Sequence, residues 1–137
     1  MSVQTPAPPI ARPAEAAPGR GDFLPGPDTT GVLVDVDVAG ACCRDTLALA
    51  LELARHLGAD STVHVTAAIV TAEPVPMTPV VTEYGGFRAV PDQARRPRRI
   101  QPVTTLVSPT DEDDLLRETA QETFSDLMHQ FGITVHL

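Results

Sequence analysis

A chain of 137 residues holds one domain of ordinary size and is too short for two. Its 10 basic against 18 acidic residues leave a net charge of −8, a field that argues against nucleic acid or anionic membrane as a general partner. All ten cations are arginine, so lysine chemistry is excluded, and with no Trp and one Tyr the chain lacks the usual base-stacking platforms.

Seven of the fourteen prolines fall in the first 27 residues. Residues 1–31, rich in Pro, Ala and Gly, therefore read as a disordered tail with little to bury. Residues 32–137 read as a single α/β domain. Cys42 and Cys43 are adjacent, and neighbouring Cα atoms about 3.8 Å apart sit too close for a normal disulfide. With no leader-like apolar stretch and no run of about 18 apolar residues, the expectation is a cytoplasmic protein with no membrane span.

Val32 to Val38 alternates with period two and predicts a strand, with Leu33, Asp35 and Asp37 on one face and the valines on the other. Gly40 ends it, and Asp45 caps a helix that Gly58 stops. Within that helix Leu47, Ala50, Leu51, Ala54 and Leu57 share a side, widened by Leu49 and Leu53, so most of it should be buried. Ser61 to Thr71 predicts a strand with Val63, Val65, Ala67 and Ile69 facing one way. Gly85-Gly86 suits a tight turn between Val80–Tyr84 and Phe87–Val90, giving an excursion hairpin at about 79–91. A loop carries Arg95, Arg96, Arg98 and Arg99, and Ile100 to Val107 predicts another strand. Thr110 and Asp113 resemble a capping box for a second helix, whose stripe is Leu116, Ala120, Phe124, Leu127, Met128 and Phe131. Gly132 stops it, and Ile133 to Leu137 predicts a final strand.

Without the excursion hairpin the order is β-α-β-β-α-β, which predicts an α+β, two-layer, ferredoxin-like sandwich. Both helices would cover one side of an antiparallel sheet and leave the other open. An echo between Leu53–Val65 and Leu127–Leu137 supports two matching halves. The alternative is a truncated parallel α/β sheet. Residues 32–70 carry an apolar strand ending in Val36-Asp37, an Ala/Leu-rich helix and a strand containing His64, and over these 39 residues the chain resembles universal stress proteins. That resemblance implies a parallel sheet that binds ATP, with Asp37 near the base. The family's later glycine-rich phosphate loop has no counterpart here.

If the sandwich forms, Asp35, Asp37 and His136 share the open face, with His64 farther along it. Carboxylates and imidazole in that setting can bind a ligand or move a proton. No ligand spacing selects a metal, so neither a metal nor a cofactor is expected. Arg88, Arg95, Arg96, Arg98 and Arg99 could contact phosphate or an acidic partner, because guanidinium forks match oxyanions. The opposing expectation is a mobile loop neutralising Asp111 to Asp114. Cys42 or Cys43, just ahead of the first helix, could be activated by its dipole. No nucleophile–base pair is evident. The sequence therefore points to a non-enzymatic protein–protein interaction or assembly module, oligomeric or part of a larger complex. Its contacts would lie at the terminus or the hairpin. A nucleotide-binding stress-response regulator is the alternative.

Overall fold

The computed structural model describes residues 2–4 (backbone only), 31–58 and 60–137. Apart from Ser2–Gln4, the tail expected to be disordered lies outside the described residues. Among the described residues the fold is mixed α+β, with two helices and two three-stranded sheets. In chain order these are β1 (Ser2–Gln4), β2 (Val32–Asp35), α1 (Val36–Leu57), β3 (Val63–Val70), β4 (Met77–Thr82), β5 (Arg88–Ala89), β6 (Val103–Val107) and α2 (Asp113–His129).

The first departure from expectation comes at Val36. The alternating segment splits, and the helix starts there rather than after Asp45. Asp35 is the N-cap, its Oδ1 accepting from the Val38 N–H at 3.1 Å. That bond satisfies one of the donors a helix start leaves open. Gly40 therefore does not break the chain but sits inside α1, where its lack of a side chain admits the Phe124 ring of α2. A Cβ there would come within 3.0 Å of that ring and 3.1 Å of Leu137. At the other end of the helices, Arg55 of α1 donates to the Asp111 carbonyl just before α2. The two contacts make the helices antiparallel neighbours.

The strands depart further from the ferredoxin-like order. One sheet runs β1-β3-β6, with β1 parallel and β6 antiparallel to β3. The other runs β2-β4-β5, with β2 and β4 parallel, Asp35 opposite Val80. Ser2–Gln4, placed in the tail by sequence, forms a strand against Ala68–Val70. The strand taken as half of an excursion hairpin is the neighbour of β2 and begins three residues earlier, at Met77. Pro79 hid that start. It is tolerated because β5 pairs only Val81 and Thr82, so at Pro79 the strand has a ladder on one side only. The tight turn itself is present: Gly86 N–H bonds the Glu83 carbonyl at 3.0 Å, with φ of 88° at Gly85 and 81° at Gly86.

No strand forms at Ile133–Leu137. Ile133 is buried and Val135 half-buried, as the alternation suggested, but the backbone is held by α2 instead of a sheet. Gln121 Nε2 donates to the Val135 carbonyl at 2.9 Å, and its Oε1 accepts from the Leu137 N–H at 2.7 Å. The capping box before α2 is also replaced. The N-cap is Glu112 without a side-chain bond, while Asp111 accepts from the Ser108 N–H at 2.8 Å and closes the preceding turn.

One apolar cluster joins both sheets to the first half of α1 and the second half of α2, around Val34, Met77, Phe124, Met128 and Phe131. A second joins the other halves of the helices to β3 and β6, around Leu47, Leu51, Val65, Val107 and Ala120. The face of β3 and β6 away from the helices is open: Leu106 is 54% exposed, and the Thr66 and Thr104 hydroxyls meet at 3.0 Å on that face. On β2 and β4 the corresponding face is not open, since Leu33 and Thr78 are both buried.

Candidate functional site

The four residues expected to share one open face are distributed over three places. Asp35 and Asp37 come together where β2 turns into α1, and the hairpin uses both. Asp35 Oδ2 accepts from Arg88 Nη2 at 3.2 Å, and Asp37 Oδ2 accepts from the Thr82 N–H at 3.4 Å. One carboxylate thus caps the helix and pairs with β5, while the other receives an amide at the end of β4. His64 lies on β3, opposite Leu106 of β6. His136 is exposed on the terminal segment that Gln121 holds along α2. The strand that would have carried His136 to Asp35 does not form, so the ladder offers Asp35 Val80 instead. Among the described residues no group of three or more His, Cys, Asp or Glu is placed to hold a metal ion.

Cys42 and Cys43 sit inside α1, past its first turn, where the helix dipole offers a thiolate little. Burial, with the neighbouring Cys42 adding to it, pushes the Cys43 thiol up to about 11, so it stays protonated at neutral pH. The void beside it, between α1, α2 and β3, has room for about one water and takes no ligand.

The arginines separate into two groups. Arg44, Arg55, Arg88 and Arg117 are each ion-paired, to Asp45, Glu52, Asp35 and Asp114. Arg95, Arg96, Arg98 and Arg99 pair with no carboxylate among the described residues, so the loop does not neutralise Asp111–Asp114. Nor is that loop loosely attached. Arg95 N–H bonds the Phe131 carbonyl at 2.6 Å, the Pro97 carbonyl receives Met77 N–H at 2.8 Å, and Arg98 Nη1 reaches the Pro74 carbonyl at 3.3 Å. Gln130 then clamps both backbone groups of Gln101, at 2.7 and 3.0 Å. Sequence reasoning missed both glutamine clamps, because a side chain bonding backbone 14 to 29 residues away leaves no local pattern.

It also missed the outward side of α1. Leu49, Leu53 and Leu57, expected to be buried, are 71%, 48% and 60% exposed. Spaced by four residues, they run along one flank of the helix, from Leu49 on the outward side to Leu57 at the edge of the buried row of Leu47, Ala50, Leu51 and Ala54. No described helix is long and apolar enough to cross a membrane. Compared with protein-family models, with curated proteins and with solved structures, the chain matches none.

Proposed function

We propose that the domain is a non-enzymatic protein–protein interaction or assembly module, working as an oligomer or as a subunit of a larger complex. The observation that carries this reading is the leucine flank of α1. Three leucines in adjacent turns of an ordered helix each leave about half or more of their surface in water. Each could recover about 1–2 kcal/mol by being covered. Single exposed leucines are ordinary, but a row of three on one rigid element is the kind of patch that docking covers. Leu106 on the open side of β6 and Phe87 on the hairpin add further apolar area. A cytoplasmic setting belongs to the same proposal and is supported by two adjacent free thiols. Sedimentation of the full chain, with mass spectrometry of whatever travels with it, tests the reading. A species heavier than one chain is expected. A strict monomer carrying no partner contradicts it.

One observation favours a second reading, a nucleotide-binding regulator of the universal-stress-protein kind. The β2–β4 pair is parallel, and Asp37 stands in the first turn of the helix that follows β2. Against it, β2 pairs with β4 and not with β3. ATP should then raise the melting temperature of the wild-type chain and leave Asp37→Ala unmoved; no shift in either removes this reading.

A further inference from the structure

Four of the eight arginines with described side chains have no acidic partner among the described residues, and all four belong to one short loop of a protein whose net charge is −8. Backbone bonds anchor this loop, through Arg95 N–H to Phe131 and Met77 N–H to Pro97. Two of the four, Arg98 and Arg99, stand on the rim of a groove of about 350 Å³ at the carboxyl end of β3. The floor is apolar: Ile69, Met77 and Ile100 are buried there, and Val70 is 43% exposed. A pocket of that size, apolar below with a few convergent polar groups above, has the make-up of a small-molecule site.

We infer that this groove binds a small organic oxyanion, its carboxylate or phosphate-monoester head on Arg98 and Arg99 and its apolar body over Ile69, Val70, Met77 and Ile100. Guanidinium groups hold either head with charge-assisted hydrogen bonds. The Arg98 bond to the Pro74 carbonyl and the Gln130 clamp on Gln101 fix the rim before any ligand arrives, which lowers the cost of binding. Ligand size follows from charge. An extended polyanion would meet the repulsion of the whole acidic surface, whereas a single head of charge −1 or −2 meets the two rim guanidiniums and, beside them, the exposed Glu73 between the groove-lining Ala72 and Pro74. A second groove offers the contrast. Its arginines, Arg44 and Arg117, are ion-paired and share it with Glu118 and Glu122, so it presents no net attraction to an anion. The assignment is independent of the assembly role proposed above.

The test is an NMR titration of the full chain, following arginine Nε–Hε signals and Ile and Met methyls. The probes are phenyl phosphate, hexanoate, inorganic phosphate and hexanol. At least one organic anion should saturate the Arg98 and Arg99 signals and the Ile69, Met77 and Ile100 methyls. It should bind at least tenfold tighter than inorganic phosphate or hexanol, and whichever head binds better identifies the ligand class. Arg99→Gln, which removes no side-chain bond among the described residues, should weaken binding at least tenfold, and Arg117→Gln should not. Non-saturating shifts at all arginines alike, inorganic phosphate binding as tightly as the organic anions, or an Arg99→Gln titration identical to wild type would each overturn the site.

Discussion

Asp35 shows how much one side chain can do at a junction. It ends β2, caps α1 through Oδ1 and pairs with Arg88 through Oδ2. The ion pair is about half exposed on the arginine side and contributes little by itself; the cap is the larger share. Asp35→Ala should cost about 1–2 kcal/mol in urea unfolding, and Asp37→Ala, whose bond to Thr82 is longer, should cost less. The reverse order would mean that the helix does not start where Asp35 caps it. Cys43 gives a second residue-level expectation. Burial pushes its thiol up from the ordinary 9.0 to about 11, so the folded state keeps its proton longer than the unfolded one. The stabilisation is full below pH 9 and declines as pH rises from 9 to 11. Unfolding of Cys43→Ala should lack that part of the alkaline decline; identical curves for the two proteins would show that the thiol is not shielded.

At the scale of elements, what could be read locally was read well. The alternation in Ser61–Thr71 is β3, the glycine pair makes its turn, and the stripe from Ala120 to Met128 is the buried side of α2, with Leu116 half-buried before it and Phe131 buried just past its end. What failed depended on remote partners. Val32–Val38 alternates whether it is one strand or a strand running into a helix, and the decision comes from the Asp35 cap and from Phe124 filling the space over Gly40. Ile133–Leu137 has a strand's alternation without a strand's partner, because Gln121 takes its backbone groups. The arginine loop was recognised as a possible oxyanion contact, but its rigidity was not, since Gln130 and Phe131 that pin it lie 29 to 36 residues away. Two variants test these remote contacts. Gly40→Val should destabilise by about 1–3 kcal/mol through overpacking against Phe124. An unchanged unfolding midpoint would mean the helices do not meet there. Gln121→Ala should lose about 1–2 kcal/mol and, more tellingly, the hydrogen-exchange protection of the Leu137 amide. Protection that survives the change would show that something other than Gln121 holds the terminus.

The whole molecule divides into a covered side and uncovered ones. Both helices pack over β3 and β6, the two apolar clusters meet along α1, and the surplus apolar surface collects on the outer flank of that helix and the open face of β6. A helix carrying Leu49, Leu53 and Leu57 outward has more apolar surface than one domain needs, which is why sequence alone judged it buried. A protein partner on that flank, as proposed above, would cover the surplus. The most direct measurement is the solution mass of the full chain beside Leu49→Glu/Leu53→Glu, with circular dichroism to verify that both fold. Because these side chains are exposed, the variant should keep the wild-type spectrum and lose the association, whether with a second copy or with a co-purifying protein. A wild-type chain that is heavier than a monomer and stays so in the folded variant would contradict the claim that α1 is the docking surface.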